Sequence, residues 1–260
     1  MKSILASFLL LATLLITGCD TTSNPVTPEP TSKTLISSAV VDGITVELYA
    51  DKGFVAGYNP VYIKLLRGTA VIKDARVSLN PIMDMGMMKH SCPTVQPGED
   101  PNAEGLFVGA VIYTMAGTPD EWSLAITVDD GISDTASTTT FPVAVVASSA
   151  VKSIKIDGQG KTIITLMPRS WIVGMNDLQF MVHTTMDGFT FIPKTDLVPK
   201  LTPTMPSMGH GSNGNVDPVH KLNGVYTGKV NLTMTGNWDL EFGWMVNDSP
   251  FKVNFPILVP

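Results

Sequence analysis

Apolar and polar residues alternate along most of the chain beyond residue 40. Ile44, Val46 and Leu48 alternate with Thr45, Glu47 and Tyr49. Val230, Leu232 and Met234 alternate with Lys229, Asn231 and Thr233, and Trp238, Leu240, Phe242 and Trp244 with Asp239, Glu241 and Gly243. A period of two sends successive side chains to opposite faces, the pattern of half-buried antiparallel strands. Gly, Pro and Asn clusters punctuate the pattern at strand-like spacing. No stretch beyond residue 20 has the 3.6-residue period of an amphipathic helix. About seven short strands per ~110 residues predict an all-β chain with the antiparallel sandwich of an immunoglobulin-like domain.

The pattern occurs twice. Gly105-Leu-Phe-Val-Gly109-Ala-Val-Ile-Tyr-Thr-Met115-Ala-Gly117 aligns without a gap on Gly224-Val-Tyr-Thr-Gly228-Lys-Val-Asn-Leu-Thr-Met234-Thr-Gly236, and each is followed by a Trp, at 122 and 238. Upstream, Val55-Ala-Gly57-Tyr-Asn59 aligns on Ile172-Val-Gly174-Met-Asn176. The offset between copies moves from 117 to 122 and back to 119, as small loop insertions would make it. A unit of this length is far longer than a solenoid repeat and is able to fold as a domain. Copy one is placed at residues 39–148 and copy two at 149–260, with the boundary between Ala147 and Lys152.

What precedes the copies has another character. Lys2 and an apolar run from Ile4 to Ile16, ending in Leu15-Ile16-Thr17-Gly18-Cys19, have the length of a signal-peptide core and fall short of a membrane span. This resembles the bacterial lipobox. The resemblance implies cleavage after residue 18, acylation of Cys19, and a lipid anchor holding the protein to the extracytoplasmic side of a membrane or to the cell surface. Residues 19–38 read as a disordered tether, since Asp20–Lys33 is rich in Pro, Thr and Ser without an apolar period.

Composition narrows the function. Charged residues make up 15% and apolar residues 44%, so two real cores are within reach. A net charge of −6 without a basic patch speaks against nucleic acid. With Cys19 lipidated, Cys92 has no partner and is either an inert buried thiol or a soft ligand. There is no Gly-x-Ser-x-Gly elbow, P-loop or His-Glu-x-x-His pair, so the chain reads as a binding protein rather than an enzyme.

The candidate chemistry lies in two clusters among the 14 methionines. Copy one carries Met83, Met85, Met87, Met88, His90 and Cys92, then Met115; copy two carries Met205, Met208 and His210, then His220 and Met234. Their Pro and Gly neighbours predict loops or strand ends. Met208 and His210 are spaced i, i+2, as are Met88 and His90, so an extended segment turns each pair to one side. The spacing of His90 and Cys92 does the same. The alternation puts Met115 and Met234 on the apolar strand face, where core packing is the simpler role, and a loop folding over that face at the domain's end would still let a metal site use them. His220 reads as a solvated loop residue and His183, within an apolar run, as structural. Thioether and thiolate suit Cu(I), and imidazole accepts both copper oxidation states. Zinc fits thioether poorly, and calcium would want clustered carboxylates.

Copy two, with Met205-Pro206-Ser207-Met208-Gly209-His210, Tyr226 and Gly228, and Met234-Thr-Gly236-Asn-Trp238, resembles the YtkA-like family of extracytoplasmic domains associated with copper handling. Copy one resembles it more loosely: no Pro follows Met83, and four residues separate Gly117 from Trp122. The resemblance implies copper, bound for storage, delivery or resistance, with a copper-handling membrane complex as partner. Two other functions are open at this point: a structural or adhesive surface lipoprotein without metal, and an accessory subunit of a membrane oxidase or efflux complex.

Overall fold

The structure, a computed structural model, describes residues 33–260. The lipobox and Cys19 lie outside the described residues, as does most of the 19–38 tether. Thr34 to Ser38 already form a strand, so order starts before residue 39.

Among the described residues there is no helix. Copy one runs through β1 (Thr34–Val41), β2 (Ile44–Ala50), β3 (Phe54–Val55) and β4 (Gly57–Arg67). It continues with β5 (Ala70–Val71), β6 (Arg76–Asp84), β7 (Lys89–His90) and β8 (Thr94–Val95). It ends with β9 (Leu106–Tyr113), β10 (Trp122–Asp129), β11 (Ser137–Pro142) and β12 (Val145–Val146). Copy two runs through β13 (Val151–Ile156), β14 (Gly160–Leu166), β15 (Gly174–Thr185), β16 (Ile192–Pro193) and β17 (Lys200–Met205). β18 (His210–Gly211), β19 (Val216–Leu222), β20 (Val225–Leu232), β21 (Gly236–Val246) and β22 (Ser249–Val259) complete it.

Each copy is a two-sheet sandwich. In copy one the sheets are β1-β2-β4-β9-β8 and β11-β10-β6-β7; in copy two they are β13-β14-β15-β20-β19 and β18-β17-β21-β22. With β2 as strand A, the first sheet has the order A-B-E-D and the second G-F-C-C′, the immunoglobulin arrangement with one extra strand in front. The short parallel pair β3–β12 ties the end of A to the end of G in copy one. Both copies are therefore immunoglobulin-like β-sandwiches.

The repeated residues have local physical causes. Asn59 and Asn176 are buried and staple the turn before strand B in the same way. Asn59 accepts from Val55 N at 2.9 Å and donates to Val55 O at 2.8 Å; Asn176 does so with Ile172 at 3.0 and 2.7 Å. Gly109 and Gly228 lie where strand D crosses E. A Cβ there would stand 2.8 Å from Val95 O and 2.6 Å from Val216 O, so no side chain fits.

The alternation fails where the copies meet. Ile163, Thr165, Met181, His183 and Thr185 share the outer face of the first sheet of copy two, yet all are buried. Ala110 and Ile112 of β9 are buried in the same outward register in copy one. The covering is mutual: Tyr58, Val95 and Gln96 of copy one line a single cavity with Met167, Met181 and His183 of copy two. Ser91 N also donates to Gly188 O at 2.8 Å. Gly188 belongs to the β15–β17 connection, the stretch in which the offset grows from 117 to 122. The longer loop of copy two therefore supplies the contact with copy one.

Candidate functional site

In copy one His90, Met83 and Trp122 occupy directly paired positions on β7, β6 and β10. Directly opposed residues project from the same sheet face, so imidazole, thioether and indole form a cross-strand row. Copy two repeats it. His210 pairs with Met205, and Trp238 follows in register from the Thr204–Asp239 pair. Each row sits at one pole of its sandwich, where strand C ends and F begins.

The thioethers of Met83 and Met205 are buried at 2% and 5% exposure, and both Trp side chains are fully buried. The rings of His90 and Trp122 meet edge to face with centroids 5.5 Å apart; those of His210 and Trp238 do so at 5.8 Å. Tyr113 extends the aromatic stack of copy one, its ring 5.0 Å from Trp122.

The E–F connection closes the pole. Trp122 Nε1 donates to Met115 O at 3.2 Å, and Trp238 Nε1 to Met234 O at 3.1 Å. The indole thus anchors the backbone of the methionine above it. The glycine two residues on leaves room for the lower methionine. A Cβ on Gly236 would stand 2.6 Å from Met205 Cε, and one on Gly117 3.2 Å from Met83 Cε.

One further detail repeats. His90 Nδ1 lies 2.8 Å from Ser91 O, and His210 Nδ1 lies 2.9 Å from Gly211 O. A carbonyl only accepts, so Nδ1 carries a proton, and in the neutral ring the lone pair then lies on Nε2. A neutral histidine poised as a ligand has this arrangement, its other nitrogen oriented by a backbone carbonyl.

Several expectations need correction. Met115 and Met234 are not core residues: strands E end at Tyr113 and Leu232, and the two side chains are 42% and 36% exposed on the closing loop. Met208 does not share a face with His210 through an extended segment. It lies in a turn, with its N–H bonded to Met205 O and Gly209 at φ +66°, and it is exposed. Met85, Met87 and Met88 lie in the equivalent hairpin and point into solvent, closed by the Met85 N to Met88 O bond. Cys92 does not join His90. It belongs to the core of copy one, where burial pushes its thiol well above the ordinary range, so it is the inert thiol rather than a surface ligand. His220 stands on β19 with its ring 5.4 Å from that of Tyr226, not in a loop. His183 is buried, as its apolar run predicts.

The sequence pointed to Met83, His90, Met205 and His210. It did not mark Trp122 and Trp238 as parts of the site, although their place in the repeat was visible. The donor set at each pole is imidazole nitrogen and thioether sulfur beside an indole. That set fits a soft monovalent cation, which an indole also attracts through its ring. Among the described residues no three His, Cys, Asp or Glu side chains converge, so a donor set of the zinc or calcium kind is not assembled there.

No protein-family model matches the chain, and no curated protein matches it. Solved structures that align with the chain include FdeC, described as a broadly conserved Escherichia coli adhesin. It is 16% identical, covers 83% of this chain and 65% of its own, and has a TM-score of 0.26. A C-terminal fragment of intimin, solved with the intimin-binding domain of its translocated receptor, is 12% identical over 86% of this chain and 64% of its own, with a TM-score of 0.27. A conserved domain protein from Bacillus anthracis is 11% identical over 88% and 91%, with a TM-score of 0.30. The chain thus spans just under two thirds of the FdeC and intimin structures. Likenesses this distant carry nothing about binding or activity to the present chain.

Proposed function

We propose that this chain is a membrane-tethered, extracytoplasmic metal-binding protein that takes Cu(I) at the His–Met–Trp pole of each sandwich, for storage, delivery or resistance. One observation supports the reading above others. Two copies that differ at most positions keep the same imidazole, thioether and indole row, with Nδ1 of both histidines held by a carbonyl. Packing alone asks for apolar groups at the pole and has no use for a half-exposed histidine of fixed tautomer. The lower methionine and His Nε2 are the first donors in each copy, and Met115 or Met234 on the closing loop completes the set. The YtkA-like resemblance agrees with this reading, and a copper-handling membrane complex is the partner it suggests.

The test is anaerobic titration of Cu(I) against a competing chelator, with Trp emission followed in parallel. Binding beside Trp122 and Trp238 quenches their emission, and His90→Ala with His210→Ala removes both the quenching and the tight binding at the poles. Binding no stronger than that of an unrelated β-sandwich would sink the copper reading. The immunoglobulin-like fold equally serves as a scaffold for a structural or adhesive surface lipoprotein. That function would then take its place.

A further inference from the structure

We propose that copy two positions the histidine of copy one. The β15–β16 connection, shaped by Asp187, holds the segment that orients His90, so affinity at the pole of copy one is coupled to docking across the seam between the sandwiches, and the pole of copy two acts alone. The coupling rests on the reading of the poles as metal sites, and its test separates the two.

Two contacts reach the pole of copy one from across the seam. The first acts on the histidine. Ser91 N donates to Gly188 O of copy two at 2.8 Å, and Ser91 O receives His90 Nδ1 at 2.8 Å. The carbonyl that fixes the imidazole therefore belongs to a residue held by the other sandwich. Gly188 also lies against the histidine: a Cβ added to it would stand 3.5 Å from His90 Cβ. Phe189 and Phe191 of the same connection line a cavity with Pro81 and Ser91. Asp187 gives the connection its shape. Its carboxylate accepts from Phe189 N at 2.8 Å, Thr190 N at 2.7 Å, Thr190 Oγ1 at 2.9 Å and Thr185 Oγ1 at 3.1 Å.

The second contact acts on the closing loop. Gly117 N donates to Val145 O at 3.0 Å, and Val145 N to Gly117 O at 2.9 Å. From Val145 the chain runs on to Ala150, whose carbonyl accepts from Leu166 N of β14 at 2.8 Å. At the pole of copy two the same positions are served from within one sandwich. Gly211, whose carbonyl fixes His210, pairs with Thr204, and Gly236 pairs with Val259. An orienting group held from outside makes binding and docking one equilibrium: the factor that docking adds to affinity, bound metal adds to docking.

The experiment uses the full chain with Asp187→Ala, which removes the shared acceptor and leaves every residue of both poles in place. Without metal, at one fixed pH, the ring resonances of His90 are expected to move and those of His210 to stay. With His210→Ala added, Asp187→Ala is expected to weaken Cu(I) about 5–100-fold in anaerobic chelator competition, the range for losing an orienting partner or a coupling between sites. With His90→Ala added instead, affinity stays as it was. Asp187→Asn keeps an acceptor for the backbone N–H groups and should restore most of the loss. In the wild type, Cu(I) should slow exchange of the Ser91 amide. Unmoved His90 resonances, an affinity at His90 that Asp187→Ala leaves alone, or equal weakening at both poles overturns the proposal. If the His90 resonances move but the wild type binds no Cu(I), the positioning stands and the copper reading falls.

Discussion

At the scale of single residues, the molecule's histidines divide by what holds each nitrogen. His90 and His210 are fixed by their own neighbours' carbonyls at the rim of a sandwich. His183 Nδ1 is buried without a hydrogen-bond partner, and burial lowers the pKa of the ring to about 4 from 6.5. The unfolded chain therefore takes up a proton on His183 before the folded chain does. Above pH 6.5 both forms are neutral and the group contributes nothing to pH dependence. As pH falls from 6.5 toward 4 the unfolded state gains, and stability is lost. For the metal-free protein, urea unfolding at pH 7 and pH 4.5 should show a loss larger by about 2–3 kcal/mol in the wild type than in His183→Leu. Equal losses in the two proteins would mean that His183 is solvated or paired. Its burial was legible from the apolar run around it. Its lack of a partner was not, because that depends on which groups of the other copy come to lie above it.

At the scale of elements, the β6–β7 and β17–β18 hairpins and the E–F loops make a recurring device: a strand end supplies a buried thioether, a two-residue strand supplies an imidazole, and the loop is pinned by an indole N–H. The loop glycine is the tight point. Gly236 has φ +119°, a region few side chains adopt, and a methyl there would meet Met205 Cε. Gly236→Ala is expected to destabilise copy two by about 1–3 kcal/mol, the usual scale for overpacking and backbone strain. It should also weaken Cu(I) binding at that pole while leaving the pole of copy one unchanged. Chelator competition on the variant checks both points, and unaltered binding at both poles would separate Met205 from the site. The repeat made these elements legible in advance, as matched Met, His, Gly and Trp. The i, i+2 reasoning for Met208 failed because Gly209 turns the chain between it and His210. The core reading of Met115 and Met234 failed because alternation continued on paper beyond the point where hydrogen bonding ends.

At the scale of the whole molecule, the outer sheet face of copy two is a buried surface. Ile163, Met181 and His183 face away from their own core and are covered all the same. Residues 149–260 alone should therefore melt at a lower temperature than the same residues within the full chain, and should associate with rising concentration as the bared face seeks cover. Calorimetry and sedimentation would show it; a monomer with an unchanged melting temperature would mean that the seam contributes little. The sequence announced two domains with a boundary near Ala147–Lys152, yet the run of Ile163-Ile164 and Phe180-Met181-Val182 was its only hint that they pack together. A continuous apolar stretch reads equally as a strand buried within a single sheet stack, so the partner across the face could not be named.

The strand order has a mechanical corollary. β1 and β13 begin opposite the ends of strands A, at the pole where β12 and β22 finish. Entry and exit of each sandwich thus lie on the same side. Tension along the polypeptide would cross one pole of each sandwich instead of running down its length. It would peel the terminal strands apart a bond at a time rather than load them all at once. A chain of such units is a poor rope, and the pole that would yield first is the one that holds the histidine, methionine and tryptophan.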